Sequence, residues 1–440
     1  MLDRIFKLKE HHTDVKTEVI AGITTFAAMA YILAVNPGIL SNAGLDAATM
    51  LTITGLAAAI GCVLMALLTN YPIALAPGMG LNAYFAFTIV LGAGIAPADA
   101  LALVFWNGIF FLVLSLTGVR SKIADAIPAN LRVGVQCGIG LFIAFIGLKN
   151  AGIVVDNPAT LVTVGDLSKP SSILTIVGFV FMAFLVIKKV PGAIILGILG
   201  ITLVGLFLPM GDGSVTAMPD GIMSAPAGIG DMFLSLNLWF PFENFGEVYP
   251  LILSLLFVDL FDTIGTLIGV SRRADLLDEN DKLPKMGNAL TADAGATVIG
   301  ALLGTSTTTS YVESAAGVEA GGRTGLTAIT VGACFLIALL FTPIILIIPN
   351  QATAPALVMV GVFMMQGVRH LDLDDVALLT PAFVTLLAMP LTFSISEGIG
   401  LGFITHVGIQ MALGRFRDVS VVTYILAALF ALHYLDVWGG

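Results

Sequence analysis

The strongest constraint on this chain is a succession of apolar stretches that fills almost its whole length. A membrane-spanning helix needs about 20 apolar residues, so each stretch is a candidate span. Hydrophobic residues make up 58% of the 440 residues and charged residues only 11%, against about 25% in an average soluble domain. Lipid must therefore be the solvent for most of the surface. The fourteen candidate spans are roughly 18–39, 49–69, 73–90, 98–118, 131–148, 172–187, 191–208, 249–270, 289–303, 304–319, 324–348, 354–367, 377–392 and 395–413.

The positive charges predict the orientation of these spans, because cytoplasmic loops are enriched in Lys and Arg. If the N-terminus lies in the cytoplasm and the spans alternate, 17 of the 19 Lys and Arg residues fall on cytoplasmic segments. Only Lys149 and Lys169 fall outside. The longest external loop, about 209–248, has no Lys or Arg. We therefore expect a multi-pass protein of the cell membrane with both termini in the cytoplasm.

The two ends of the chain need separate interpretation. The first seventeen residues are polar and mixed in charge, which is not the pattern of a cleavable signal peptide. The last apolar piece, 419–434, is about sixteen residues long, which is short for a span, and it follows Arg415, Arg417 and Asp418. We interpret it as a helix lying at the cytoplasmic surface.

The candidate spans form two halves of seven. Because seven is odd, the second half is inverted in the membrane relative to the first. The third element of each half is abnormal: 71–87 contains Pro72, Pro77, Gly78 and Gly80, and 304–317 is a polar run. Matched interruptions of this kind are typical of the binding site of a secondary transporter. The predicted fold class is an all-α polytopic membrane protein of 7+7 inverted repeats, with short strands and half-helices in segments 3 and 10.

The first broken segment, 71–87, reads YPIALAPGMGLNAYFAF. Pro77 cannot donate to a helix ladder and disfavours helix at Ala76. We expect an extended piece through Ala76 and then a half-helix from about Gly78. Asn82 lies near its first turn, where an amide can donate to and accept from a planar heterocycle.

The second broken segment contains six consecutive hydroxyl residues, 305–310, which include Thr308, Thr309 and Ser310. Threonine favours extended backbone, which survives at membrane depth only when it is buried in protein or lines a wet cavity. A helix is expected to begin near Ser310 and to carry Glu313, next to free N–H groups at its start. The alternative interpretation is an ordinary surface loop rich in Thr.

Two carboxylates lie near the middle of the span 249–270. An Asp in a span costs roughly 2.5–3.5 kcal/mol on insertion scales, so it usually faces the protein interior and has a function. Asp262 and Thr266 are four residues apart and share a helix face. Asp259 could either flank the same site or form a hydrogen bond to a neighbouring helix. We expect Asp262 and Glu313, together with Asp259, to bind the coupling proton. No cofactor motif and no metal-ligand spacing is visible in the sequence.

Several motifs together resemble the AzgA-like purine permeases, a branch of the nucleobase–cation symporter 2 group. They are TEVIAGITTFAAMAYILAVNPGIL, LAPGMGLNAYFAF, LFVDLFDTIGTLIG, GTSTTTSYVESAAG and GGRTGLTAI, and the resemblance covers nearly the whole chain. It implies the uracil-permease-like fold and proton-coupled uptake of hypoxanthine, guanine or adenine. The family's span-3 Asn falls on Asn82, its span-8 acid on Asp262 and its span-10 acid on Glu313.

The resemblance also implies two domains. A core, or transport, domain would comprise 18–118 and 249–348, and a gate domain would comprise 131–208 and 354–413. Apolar gate spans would then offer a scaffold or homodimer surface, with membrane lipid around it. The alternatives are an anion exchanger of the same fold or another solute symporter of that fold, with sodium in place of the proton as a further option for the coupling ion. The net charge of −10 argues against a nucleic-acid partner, and no segment outside the spans is large enough for an enzyme or sensor domain.

Overall fold

The computed structural model of the protein describes residues 2–117, 127–210, 213–274, 276–279 and 283–435. Part of the expected charge pattern lies outside these residues, namely Arg120, Lys122, Asp212 and Lys282, and so does the last residue of the 98–118 stretch.

The first half of the described chain is built of helices with five short strands between them. Its helices are α1 (Leu2–Phe6), α2 (Val15–Met29), α3 (Ile32–Leu40), α4 (Ala47–Thr69), α5 (Met79–Ala83), α6 (Pro97–Thr117), α7 (Ala129–Asn150), α8 (Pro170–Ile187) and α9 (Ala193–Gly205). Its strands are β1 (Leu75–Pro77), β2 (Val154–Asn157), β3 (Leu161–Val164), β4 (Pro209–Met210) and β5 (Gly213–Ser214). β2 pairs with β3 and β4 with β5, whereas β1 pairs with a strand of the second half. A π-helix, Tyr84–Gly92, continues α5.

The second half of the described chain is also built mainly of long helices, and it contains one strand. It contains α10 (Phe240–Glu243), α11 (Phe245–Arg273), α12 (Met286–Leu303), β6 (Thr308–Ser310), α13 (Ser314–Glu319), α14 (Gly325–Ala338), α15 (Thr342–Leu346), α16 (Asn350–Met365), α17 (Val376–Thr392), α18 (Ile395–Ala412) and α19 (Val421–Tyr434).

The helices that length and composition qualify as membrane spans confirm a polytopic membrane fold. Among the residues that the structure describes, eight stretches qualify: Val15–Ala43, Ala47–Thr69, Pro97–Thr117, Ala129–Asn150, Pro170–Ile187, Phe245–Arg273, Gly325–Leu346 and Asn350–His370. Shorter apolar helices occur at Met79–Gly92, Ala193–Gly205, Val376–Thr392 and Val421–Tyr434. The apolar stretches of the sequence coincide with these helices, with α12 and α18, or with a strand followed by a short helix.

The two broken segments pair with each other. β1 and β6 are antiparallel, with Leu75 opposite Ser310, Ala76 opposite Thr309 and Pro77 opposite Thr308. Each strand leads into a short helix, α5 or α13, which confirms the strands and half-helices predicted for segments 3 and 10. The second half-helix begins at Ser314, not near Ser310 as expected, because Thr308–Ser310 continue the strand.

The helices of the described chain pack in two groups. One contains α2, α3, α4, α6, α12 and α14, with α13 against α2; the other contains α7, α8, α9, α16, α17 and α18. α11 contacts α6 and α12 in the first group and α7 and α18 in the second. Close approach within the second group relies on glycine: a Cβ at Gly134 would lie 2.8 Å from the carbonyl oxygen of Ala382.

The last helix, α19, coincides with most of the apolar piece 419–434. α19 packs along α18, with the Phe430 and Phe403 rings stacked at 6.4 Å and the Tyr434 hydroxyl donating to the carbonyl oxygen of Glu397 at 3.3 Å. Its C-terminal end therefore lies level with the start of α18. This antiparallel packing buries the apolar ring of Phe430 against α18, and the position of 419–434 at the cytoplasmic surface stays a prediction.

Candidate functional site

The pairing of β1 with β6 buries the whole hydroxyl run of the second broken segment. Residues 305–310 are each at most 3% exposed. The pairing extends beyond the strands, since the Gly78 amide donates to the carbonyl oxygen of Thr307 at 2.9 Å and the Tyr311 amide donates to that of Ala74 at 3.0 Å. The run is therefore not a Thr-rich surface loop. The N–H and C=O groups of its extended backbone find hydrogen-bond partners inside the protein, which is what a segment at membrane depth needs.

The end of β1 is shaped by a close approach of the two segments. A Cβ at Gly78 would lie 2.7 Å from the Thr309 methyl carbon, so only glycine fits there without displacing β6. The Tyr311 hydroxyl donates to the carbonyl oxygen of Pro77 at 2.5 Å. The two broken segments are thus fixed to each other before either half-helix begins.

Asn82 lies in the first turns of α5, as the sequence predicted, and is fully buried. Its amide nitrogen donates to the carbonyl oxygen of Pro77 at 3.3 Å. Its amide oxygen accepts a hydrogen bond from the Ser306 hydroxyl. The Asn82 side chain therefore connects the start of one half-helix to the hydroxyl run of the other segment.

Glu313 occupies the N-cap position of α13 and is half-buried. One of its carboxylate oxygens accepts a hydrogen bond of 2.7 Å from the hydroxyl of Tyr31. Tyr31 is 1% exposed and lies at the junction of α2 and α3. The sequence analysis missed Tyr31, because nothing in the chain marks a contact between residues 282 positions apart.

Asp262 and Thr266 lie on the partly exposed face of α11. Asp262 is close enough to Glu313 and Asp293 for their charges to act on it. In the part of the chain that the structure describes, neither side chain forms a hydrogen bond within the protein. Both are therefore available to a solute that enters beside α11.

Asp259 has a different environment from Asp262. It is fully buried, and its carboxylate accepts hydrogen bonds from the Asn107 amide of α6 at 3.4 Å and from the Thr263 hydroxyl at 3.5 Å. Asp259 therefore contacts the neighbouring helix α6 through Asn107.

The three hydroxyl residues of β6 alternate in direction, as side chains on a strand do. Thr309 lies 2.9 Å from the Thr263 hydroxyl. Thr308 lies toward α12 instead: a Cβ at Gly300 would meet its hydroxyl, and its carbonyl oxygen accepts from Thr297 at 3.1 Å. Ser310 lies next to the carboxylate of Asp293.

Asp293 on α12 is a second residue that the sequence analysis missed. It is fully buried and accepts hydrogen bonds from the hydroxyls of Thr263 at 2.9 Å and Thr309 at 3.1 Å and from the amide of Ser310 at 3.1 Å. The signal was present in the sequence, since an acid inside an apolar helix is a functional candidate by default.

Aromatic rings close one side of the interface between the two helix groups. Phe393, which follows α17, has its ring centroid 5.6 Å from that of Phe87 and 5.2 Å from that of Phe142. Farther along α11, Gly265 and Gly269 face open space, where an added Cβ would meet nothing within 4 Å. This face in the C-terminal part of α11 is therefore not covered by neighbouring side chains.

Comparison with known proteins agrees with this architecture. Residues 16–431 match the permease family (Xan_ur_permease). The chain is 44% identical over 432 residues to the adenine permease AdeP of Escherichia coli (strain K12), a match that covers 98% of this chain and 95% of the relative. The chain belongs to this permease family. The permease is also 44% identical over 440 residues to the guanine/hypoxanthine permease PbuO of Bacillus subtilis (strain 168), with 97% of this chain and 98% of the relative covered.

Solved structures confirm the fold of the permease. The transmembrane domain of the cyanobacterial bicarbonate transporter BicA superposes with a TM-score of 0.64 at 15% identity, covering 87% of this chain and 96% of that domain. The murine anion transporter Slc26a9 in its inward-facing state gives a TM-score of 0.63 at 12% identity, covering 91% of this chain and 68% of that one. These proteins share the uracil-permease-like fold, and at such low identity the likeness concerns the fold alone.

The position of Glu313 in the permease depends on a glycine two-thirds of the way along α13. A Cβ at Gly317 would lie 2.6 Å from the carbonyl oxygen of Ala21 and would also meet the Thr25 hydroxyl. We expect Gly317→Ala to lower the free energy of unfolding by about 1–3 kcal/mol, because α13 must move away from α2. Thermal unfolding in detergent measures this. Gly408→Ala is the control, since that Cβ meets nothing within 4 Å; equal behaviour of the two variants would contradict the packing.

Proposed function

We propose that the permease is a secondary active transporter that carries a purine nucleobase (hypoxanthine, guanine or adenine) into the cell together with a proton. The observation that carries this proposal is that Asn82 and Glu313 follow two paired strands at membrane depth, with Asp262 beside Glu313. The names of the relatives, adenine permease and guanine/hypoxanthine permease, support the purine class.

In this proposal, the purine edge is recognised by groups on both broken segments. A purine presents ring N–H donors and ring-nitrogen acceptors in one plane, which an amide and carboxylates can match. Asn82 and Glu313 would form the principal hydrogen bonds, and Asp262 with Thr266 would bind from α11. The hydroxyls of Thr309 and Ser310 in β6 would complete the polar wall, with the backbone of Thr308 behind them because its hydroxyl is turned toward α12. An aromatic ring could stack on the purine face.

The same carboxylates would couple transport to protons. No cofactor or nucleotide motif is visible in the sequence, so an ion gradient is the expected energy source. Asp262 and Glu313 are near each other, and interacting acids titrate as a group. Asp259, one turn before Asp262, would contribute through its bonds to α6 and Thr263. We propose that this group is protonated when purine binds and releases the proton toward the cytoplasm.

The direct test is uptake of labelled purines into proteoliposomes with an imposed inward proton gradient, with and without sodium. Concentrative uptake of at least one purine that follows the proton gradient is the expected result. Uptake that follows sodium alone would reject proton coupling but would leave the proposal of purine transport in place. Bicarbonate and chloride belong in the panel, because the structural neighbours are anion transporters. Two carboxylates at the site disfavour anions, so anion exchange without purine uptake would overturn the proposal.

We further propose that the core, 18–118 and 249–348, moves against the gate, 131–208 and 354–413. The hydroxyl oxygens of Ser254 on α11 and Ser396 on α18 lie 2.8 Å apart across this boundary. Apolar side chains of the gate that are exposed, such as Ile187 and Phe207, would face lipid or a second copy of the chain. The segment before α2, which includes α1, would lie in the cytoplasm.

A cross-link at that boundary should stop transport. We expect the variant with both Ser254→Cys and Ser396→Cys, once oxidised, to lose purine uptake but to keep purine binding from the side that stays open. Reduction should restore uptake, and each single variant should transport under both conditions. Mobility on a non-reducing gel verifies the bond. Undiminished uptake through a verified cross-link would contradict movement of core against gate at this place.

A further inference from the structure

Two fully buried carboxylates, Asp259 and Asp293, meet at a single hydroxyl group. The Thr263 hydroxyl oxygen lies 2.9 Å from one oxygen of Asp293 and 3.5 Å from one oxygen of Asp259. Both acids are fully buried. The hydroxyl has one proton, so it cannot donate to both carboxylates at once.

Within the described chain, Asp293 accepts hydrogen bonds from more donors, and at shorter distances, than Asp259 does. Besides Thr263, it accepts from the Thr309 hydroxyl at 3.1 Å and from the Ser310 amide at 3.1 Å, with the Ser310 hydroxyl at 3.4 Å. Several donors of this kind stabilise an ionised carboxylate. Asp293 can therefore carry a negative charge where it stands.

An unsatisfied acceptor lies beside Asp259. The Asn107 amide nitrogen donates to Asp259 at 3.4 Å, while the oxygen of the same planar amide is buried and has no hydrogen-bond partner in the described ranges. A buried acceptor without a donor costs about 1–3 kcal/mol. A proton on Asp259 would supply that donor, because a carboxylic acid and an amide can exchange two hydrogen bonds.

The sequence around the pair offers no basic side chain for a second negative charge. Residues 47–69, 97–117, 250–271 and 286–319, which form the surrounding elements, contain no Lys, Arg or His. The titratable groups that these elements and α3 direct toward the site are Asp262, Glu313, Tyr31 and Tyr311. All four are acids or phenols. Two ionised carboxylates that share one hydroxyl would therefore repel each other at low dielectric.

We propose that Asp259 and Asp293 share one proton and form a single buried proton site, which Thr263 connects to β6. Asp293 also acts electrostatically on Asp262. Loss of the shared proton therefore adds a negative charge near the candidate substrate site. The shared proton stands on the geometry alone. Its part in coupling rests on the proposed function.

Infrared difference spectroscopy of the purified permease tests the shared proton without any substrate. A protonated carboxyl group has a C=O stretch that a carboxylate lacks. We expect Asp259→Asn and Asp293→Asn each to remove the band of one carboxylic acid, since the remaining acid no longer faces a second carboxylate and the Thr263 hydroxyl is free to donate to it. The double variant should lose no more than either single variant. Asp156→Asn, in an exposed strand, should leave the band unchanged.

Two results would overturn the proposal: no loss of the band in either single variant, or separate losses that add in the double variant. Thr263→Val and Thr263→Ser then test the connection, because only serine keeps the hydroxyl. We expect valine to reduce proton-driven purine accumulation and serine to restore it, with purine binding retained in both. If the wild-type permease binds no purine while the infrared pattern holds, the proposed substrate fails and the proton site stands. If purine accumulates normally in Asp293→Asn, the role of the pair in coupling is wrong.

Discussion

Glu313→Ala is expected to weaken purine binding by about 100-fold or more, since a hydrogen bond to a charged group is worth about 1.5–3 kcal/mol and its loss leaves a buried partner unpaired. Glu313 accepts a 2.7 Å hydrogen bond from Tyr31, which is 1% exposed. Removal of the carboxylate therefore affects the substrate and Tyr31 together. Isothermal titration with adenine, guanine and hypoxanthine measures the affinity, and thermal unfolding verifies that the variant is folded.

Glu319→Ala is the matched control for Glu313→Ala. Glu319 ends the same half-helix and pairs with Arg273 at 3.1 Å, with both side chains more than half exposed. An exposed pair contributes about 0–1 kcal/mol, so purine affinity should stay close to the wild-type value. Tyr31→Phe should cause an intermediate loss of about tenfold, because the carboxylate remains and only its donor is removed. A folded Glu313→Ala protein with wild-type affinity would reject Glu313 as a substrate ligand.

The broken segments could be predicted from the sequence because their causes are local. Pro77 and Gly78 interrupt a helix by covalent geometry, and the hydroxyl run 305–310 favours extended backbone. The register of the pairing, with Ala76 opposite Thr309, could not be predicted. It depends on a glycine at 78 that lets Thr309 approach, which is a property of the packed pair and not of either segment.

The acidic residues and their partners likewise divide into those that the sequence could reveal and those that it could not. Asp262 and Glu313 were visible as charges in apolar surroundings, and Asp293 carried the same signal although it was missed. Tyr31 had no such signal, since an aromatic residue in an apolar span is unremarkable by type. Its hydroxyl matters only because α2 and α3 bring it to Glu313.

The packing of α19 against α18 could not be predicted for a related reason. A short apolar helix that follows two arginines is compatible with a position on the membrane surface and equally with a groove on another helix. The difference is made by Gly400 of α18, where an added Cβ would lie 2.6 Å from the Phe430 ring. The absence of a side chain at Gly400 creates the place that Phe430 occupies, and no periodicity in residues 419–434 reveals it.

Asp262→Asn is expected to separate purine binding from proton-driven accumulation. With one proton per purine, a gradient of one pH unit supplies about 1.4 kcal/mol, which supports about a tenfold accumulation ratio. An asparagine resembles the protonated acid but cannot release a proton, so the ratio should fall to about one while purine exchange at equal concentrations continues. The measurement is counterflow and gradient-driven uptake in the same vesicles. Asp231→Asn, at an exposed position in the loop before α10, should accumulate purine as the wild type does. Tenfold accumulation by Asp262→Asn would remove Asp262 from the coupling mechanism, whereas loss of exchange as well as accumulation would make it a substrate ligand that the transport cycle cannot do without.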